Sequence, residues 1–267
     1  MFNIALMCSC HNRVMLTKKS LNSISNTLKN TKLVNKFNFF VLDDCSTDGT
    51  YSFLKNFKNT SVVKSNKNLY WAGGMNFCFN HFYKELIGYD LFLPFNDDIE
   101  LDIKNLDRLF DQYQKLLRDK KEFILSVPCF YQDKITYSGS KFQIHSSIPI
   151  FKIVKPIKNK IIKVDVVNMN FTLMPMTVIK KYKFLDSYFT HSLADFAYSL
   201  KLKKYGINSY IYDLPHVICE ENLKRTNKLE GINKLPQKKF YRKYFRFYYY
   251  FWPLRLVLRI IRLIFLK

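Results

Sequence analysis

The chain has 267 residues, enough to bury one large core, and its few Gly and Pro leave little room for long disordered segments. The formal charge is +22, and 13 Lys and Arg against one acidic residue fall between Asn222 and Lys267; that end suits an anionic surface, either nucleic acid or membrane. Six scattered cysteines form no CxxC pair, which excludes zinc-ribbon and thioredoxin-like chemistry and fits a reducing cytosolic compartment.

The elements follow in chain order. Phe2 to Cys8 is apolar and lacks both a basic n-region and a small-residue cleavage site, so it reads as a first strand and not as a signal peptide. Leu21, Ile24 and Leu28 have helical spacing. Phe37 to Leu42 is a second strand and Ser61 to Lys64 a short third. Cys78, Phe79, Phe82 and Leu86 predict a helix from Gly74 to Leu86. Asp90 to Pro94 is a fourth strand, and Leu106, Leu109, Phe110, Tyr113 and Leu117 mark a further amphipathic helix. This alternation predicts an α/β fold with a mostly parallel central sheet flanked by helices. Ile135 to Ile162 suits short hairpins, and Ile161 to Leu173 one or two strands. A helix is expected from Leu193 to Lys204, closed by Gly206, before a last strand at Ile207 to Tyr212. No internal repeat is present, nor an uncharged apolar run of about 18 residues that would cross a membrane.

Two strands end in paired carboxylates. Leu91-Phe92-Leu93-Pro94 runs into Asn96-Asp97-Asp98, and Phe39-Phe40-Val41-Leu42 into Asp43-Asp44. Ligands of open α/β sheets lie beyond such strand ends. Adjacent carboxylates repel each other and are best tolerated with a cation between them and a substrate. Asp also favours plain turns, but two acidic strand ends within the first hundred residues favour a metal-assisted site for a phosphate-bearing ligand.

Other pieces fall in a fixed order around these. Ser9-Cys10-His11-Asn12-Arg13 follows the first strand, Asp48-Gly49-Thr50 the second acidic pair, and Asn68-Leu69-Tyr70-Trp71-Ala72-Gly73-Gly74-Met75-Asn76 opens a helix. Phe184-Leu185-Asp186 and His191-Ser192-Leu193-Ala194-Asp195 come last. The set resembles the family 2 glycosyltransferases of GT-A fold, and within them the bacterial rhamnosyltransferase-like members that build capsule or O-antigen polysaccharide. The resemblance runs from Asn3 to near Pro215.

It implies an inverting transfer of sugar from a UDP- or dTDP-sugar to a saccharide or lipid-linked saccharide, assisted by Mn²⁺ or Mg²⁺. By resemblance, Asp43 and Asp44 read the base, a carboxylate accepting the imide N–H of uracil or thymine. Ser9, Arg13 and Asn68 flank the nucleotide, though Arg13 reads equally as a surface residue at a helix start. Gly73 and Gly74 admit a close backbone approach, or simply start a helix. Trp71 is a sugar platform or a core residue. Asp98 is the metal ligand, and Asp97 binds the ribose or the metal's water shell. Asp195 matches the catalytic base that deprotonates the acceptor; without the family, Ser192 and Asp195 fit a capping box. Departures are Ala197, where many relatives carry a second acid, and Ala194 in place of the usual Glu. His216 lies where relatives often place a metal-assisting His, and His191 is ambiguous in the same way.

The expected organisation is a catalytic domain at 1–220, with its nucleotide half at about 1–100 and its acceptor half at about 101–220, followed by a basic extension at 221–267. In the extension, Arg255, Arg259 and Arg262 recur at helical spacing after the aromatic stretch Tyr244 to Trp252. This pattern suits either a helix on the inner face of an anionic membrane or one packed on the domain. Two other classes fit less well. A nucleotidyltransferase would want a Gly-rich loop after the first strand, and Ser9 to Arg13 has none. A single-strand nucleic-acid binder fits the basic-aromatic mixture, but no such signature is present and the acidic strand ends would repel phosphates. An inactive paralogue is opposed by the intact acidic set.

Overall fold

The computed structural model describes residues 1–101, 106–120, 122–145, 148–191, 193–213 and 217–220. In order, the first half comprises β1 (Phe2–Cys10), α1 (Val14–Lys29), β2 (Val34–Asp43), α2 (Thr50–Asn56), β3 (Thr60–Lys64), α3 (Tyr70–His81), α4 (Tyr83–Leu86), β4 (Leu91–Pro94), β5 (Glu100–Leu101) and α5 (Leu106–Asp119). The second half comprises β6 (Phe123–Ser126), β7 (Cys129–Tyr131), β8 (Lys134–Tyr137), β9 (Ser140–His145), β10 (Ile148–Ile153), β11 (Ile161–Val164), β12 (Thr172–Pro175), α6 (Met176–Tyr182), α7 (Ala194–Lys204), β13 (Asn208–Tyr212) and β14 (Val217–Ile218).

An eight-stranded sheet in the order β11-β13-β6-β12-β4-β1-β2-β3 forms the middle layer. β3, β2, β1 and β4 are all parallel. β12 runs antiparallel to both β4 and β6, and β13 returns parallel to β6. The expected α/β sheet is therefore present, parallel through the first half and mixed beyond it.

Both faces are covered because side chains alternate along each strand. Ile4, Leu6, Cys8, Phe39 and Val41 bury on one face with Leu21, Ile24 and Leu28 of α1 and Leu109 and Phe110 of α5. Ala5, Met7, Phe40 and Leu42 bury on the other with Ala72, Met75, Cys78 and Phe79 of α3 and Tyr198 of α7. A small sheet, β5-β14-β7-β8, and the β9–β10 hairpin complete the described residues.

The element readings miss β6 and α6, begin β2 three residues late, and misplace one helix. The helix expected at Gly74 to Leu86 starts four residues earlier, at Tyr70, and is interrupted at Phe82 before α4. The other helix end agrees in kind: Gly206 follows α7 with φ +81, and Ile207 N–H reaches Leu202 O at 3.1 Å. Among the described residues no helix is long and apolar enough to cross a membrane. The basic extension, its Tyr244 to Trp252 stretch and His216 lie outside the described residues.

Candidate active site

The register of the parallel strands builds the site. Cys10 of β1 stands beside Asp43 of β2, Asp43 beside Lys64 of β3, and Met7 beside Pro94 of β4. Three strands therefore end together, and the residues that follow them share one edge of the sheet. Asp44 N–H donates to Cys10 O at 2.8 Å, joining the first two ends.

At the β4 end, Asn96-Asp97-Asp98 turns toward α1. Arg13 Nη1 donates to Asp97 Oδ1 at 3.3 Å and to Asp98 Oδ2 at 3.1 Å. Thr17, one helical turn into α1, offers its hydroxyl to Asp97 Oδ2 at 3.4 Å, and the Cys219 thiol stands 3.6 Å from Asp98 Oδ1. Burial pushes the Asp97 carboxyl up to about 7; Arg13 opposes the rise and Asp98 adds to it. Arg13 stands at the start of α1, and its guanidinium is the cation bonded to the acidic pair. Trp71 Nε1–H donates to Asn96 Oδ1 at 3.1 Å, so this half-buried indole is tied to the acidic segment rather than lost in the core.

At the β2 end the two carboxylates part. Asp43 is fully buried, and neither of its oxygens has a hydrogen-bond partner. Lys64 Nζ stands 3.8 Å from its Oδ2. Asp44 is engaged on both oxygens: Leu69 N–H reaches each at 2.9 Å, Tyr70 N–H reaches Oδ2 at 3.1 Å, and the Ser65 hydroxyl reaches Oδ1 at 2.8 Å. Asp44 thus satisfies the free N–H groups at the start of α3 and sits where the helix dipole favours negative charge. Of the two carboxylates implied in base reading, Asp43 carries no hydrogen-bond donor on its buried oxygens, whereas Asp44 is occupied by the Leu69 and Tyr70 N–H groups and the Ser65 hydroxyl.

The glycines are also placed differently from expectation. α3 already contains Gly73 and Gly74, so they are not a loop before it. Gly73 N–H donates to Thr190 O at 3.0 Å. A Cβ on Gly74 would lie 2.5 Å from Ser9 Oγ and 2.9 Å from Leu42 Cδ2. Gly74 therefore permits close packing of helix on strand, with Ser9 as the atom it makes room for. Asn68 accepts Tyr70 N–H at 2.9 Å as a local turn at the helix start. Asp48 similarly accepts from Thr50 N–H (3.1 Å) and Val14 N–H (2.9 Å), with Thr50 the first residue of α2.

On the other half, Asp195 is the second residue of α7, after Leu193 in a left-handed conformation at φ 67. The helix register is one residue off the capping box that the sequence suggests. Asp195 Oδ2 accepts from Asn168 Nδ2 at 3.3 Å and Oδ1 from Phe196 N–H at 2.9 Å. Burial raises its carboxyl to about 6, against the lowering effect of these bonds. That value suits a group that gains and loses a proton near neutral pH.

One segment links Asp195 to the acidic pair. Two residues beyond Asn168, Asn170 accepts Asn96 N–H on its carbonyl at 3.1 Å and reaches the Cys219 sulfur at 3.7 Å with its amide. Asn168, Asn170, Thr17, Lys64 and Cys219 were not singled out in the sequence. Asn-x-Asn before an apolar strand is the one local signal among them. His191 lies against the Tyr70 ring, centroids 6.2 Å apart, between α3 and the loop before α7.

Asp97 and Asp98 offer oxygen ligands suited to Mg²⁺ or Mn²⁺. Among the described residues no three His, Cys, Asp or Glu side chains converge to hold a metal ion. An ion on this pair would complete its shell with phosphate oxygens and water, as Mg²⁺ commonly does.

The comparisons with known proteins agree with this architecture. The chain is similar to S. aureus TarS at 12% identity and TM-score 0.54, over 88% of this chain and 39% of that one. It is similar to the mannosyltransferase PcManGT from Pyrobaculum calidifontis, solved with GDP-Man and Mn²⁺, at 12% identity and TM-score 0.61, over 92% of this chain and 64% of that one. GalNAc-T7, solved with UDP, GalNAc and Mn²⁺, gives 10% identity and TM-score 0.60, over 89% and 48%. At these identities the likeness is one of fold, and the chain spans less than two thirds of each of these three proteins. No curated protein matches the sequence. The sequence model described as Glycosyl transferase family 2 matches residues 7–168. With that match over more than half its length, on a sheet whose strand ends gather these carboxylates, the chain belongs to glycosyl transferase family 2.

Proposed function

We propose that this chain transfers a sugar, with inversion, from a UDP- or dTDP-sugar to a saccharide or lipid-linked saccharide, and that it serves bacterial surface polysaccharide synthesis. The observation that carries the reading is the pairing of a buried acceptor with no donor on it (Asp43) with the Arg13-bridged Asp97 and Asp98 on one sheet edge. Asp43 receives the base. Asp97 and Asp98 face the diphosphate and would hold Mn²⁺ or Mg²⁺, with Asp98 as the direct ligand. When bound, the ion supplies charge that stabilises the leaving diphosphate. Asp195 takes the proton of the acceptor hydroxyl as that oxygen bonds the anomeric carbon and the bond to phosphate breaks. Asn168 orients the carboxylate for that transfer.

The test is thermal shift with UDP, dTDP and GDP, with and without Mn²⁺, on the wild type and on Asp98→Ala. A metal-dependent gain with one nucleotide, lost in the variant, supports the reading. No gain with any nucleotide counts against it. NMR of the product's anomeric configuration then checks inversion.

The basic extension is read as a membrane-surface segment that brings the catalytic domain to a lipid-linked acceptor at the inner face of the cytoplasmic membrane. Each Lys or Arg near such a surface contributes about 1 kcal/mol. Deleting Pro253 to Lys267 should abolish co-sedimentation with phosphatidylglycerol-rich vesicles; unchanged sedimentation would sink the idea.

A further inference from the structure

Between Lys134 and Val164 the chain carries seven lysines and no Asp or Glu. Lys152, Lys155, Lys158, Lys160 and Lys163 are all exposed. So are three isoleucines set among them: Ile150 at 41%, Ile153 at 54% and Ile157 at 51%. Of the acids nearby, Asp165 is already taken by Lys203 Nζ at 2.6 Å and Phe142 N–H at 2.8 Å. Asp213 stands at the far end, bridged through backbone to Lys158. On the β9–β10 hairpin Lys152 is the register partner of Lys141. Like charges directly opposite each other on paired strands are destabilising, and an anion lying over them removes the repulsion.

Strand alternation separates the two faces of the hairpin. Phe151 and its register partner Phe142 turn inward with ring centroids 5.7 Å apart, and Phe151 packs 5.1 Å from Phe196, the neighbour of Asp195. Ile150 and Lys152 take the other face. A basic surface with exposed aliphatic side chains and its rings turned inward fits a bilayer, whereas single-stranded nucleic acid wants exposed rings on which bases stack. The extension at 222–267 and a second copy of the chain are themselves basic, so neither complements it. We propose that the outer face of the β9–β10 hairpin and the segment from there to β11 dock the catalytic domain on an anionic lipid bilayer. This contact is separate from the one read for the basic extension. Lys141, Lys152, Lys155 and Lys160 meet headgroup phosphates, and the three isoleucines enter the acyl boundary. Through Phe151 on Phe196 the docked surface lies beside the helix that carries Asp195.

The experiment is co-sedimentation of the full chain with phosphatidylglycerol-rich vesicles. One variant combines Lys152→Gln, Lys155→Gln and Lys160→Gln; a second combines Ile150→Ser, Ile153→Ser and Ile157→Ser. A control combines Lys29→Gln, Lys55→Gln and Lys58→Gln, exposed lysines outside the patch that remove the same charge. The first variant should lower the partition coefficient about 10-fold or more, the control much less, and the isoleucine variant should also lower it. Equal losses in the lysine variant and the control would mean net charge alone and overturn the proposal. An unchanged isoleucine variant would overturn it too, as would wild-type protein that ignores the vesicles and binds a single-stranded oligonucleotide. Deletion of Pro253 to Lys267 reads the extension by itself. Loss on deletion with no loss in the patch variants fails this proposal alone, and the converse fails the reading of the extension alone.

Discussion

Asp43 and Asp44 are neighbours in the chain with opposite surroundings. Both oxygens of Asp44 are held by Leu69 and Tyr70 N–H and the Ser65 hydroxyl, whereas neither oxygen of Asp43 receives a hydrogen bond. Asp44→Ala strips the start of α3 of its acceptor and should cost about 2–3 kcal/mol of stability. Asp43→Asn removes a buried charge with no donor on it, so urea midpoints should stay level or rise. Nucleotide binding should respond in the other order, lost in Asp43→Asn and retained in whatever fraction of Asp44→Ala is folded. Urea denaturation alongside UDP titration separates the two.

The Arg13, Asp97 and Asp98 cluster makes stability depend on pH. The folded Asp97 carboxyl sits at about 7, above its unfolded value, so the folded state holds that proton more tightly. Stability from this group is fully present below about pH 4 and falls as pH rises toward 7. Asp97→Asn should flatten that fall. Arg13→Gln should steepen it and cost about 1 kcal/mol at pH 8, a figure kept low because the Arg13 side chain is 39% exposed. Since Mn²⁺ and protons compete for the same oxygens, added Mn²⁺ should raise the melting temperature more at pH 8 than at pH 6.

Asp195 gives a kinetic prediction. Asp195→Asn should lower kcat by about 10²–10⁴-fold, the usual contribution of a general base, with UDP affinity unchanged within error. In the wild type, kcat/KM should rise with pH through about 6, because the base works only when deprotonated. A kcat within a few-fold of wild type in Asp195→Asn would remove Asp195 from the chemistry.

Gly74→Ala should destabilise by about 1–3 kcal/mol through overpacking, since the new methyl would lie 2.5 Å from Ser9 Oγ. Adding Ser9→Ala removes that atom and should recover part of the loss. It should not recover all of it, because Leu42 Cδ2 remains 2.9 Å away. A double-mutant cycle read by thermal melts measures the coupling.

Much of the framework was legible in the chain. Short apolar runs alternating with helical spacings fixed the α/β class and the parallel first half, because the period of side-chain burial is a local property. The ends of β2 and β4 were legible for the same reason, since an apolar run that stops at Asp-Asp marks its own boundary. The full stabilisation of the start of α3 was not: Asn68 gives Tyr70 a local acceptor, but Asp44 lies 26 residues before Tyr70 along the chain.

The sequence by itself determined which residues end the strands and therefore which carboxylates reach the ligand edge. Only the tertiary structure decided what each of them does there. Strand register placed Lys64 beside Asp43 and α1 carried Arg13 onto Asp97 and Asp98, while the packing of α3 took up Asp44 and left Asp43 buried without a donor. A carboxylate's role is set by the donors and charges that surround it in space, and those come from segments whose proximity the local pattern of residues does not encode.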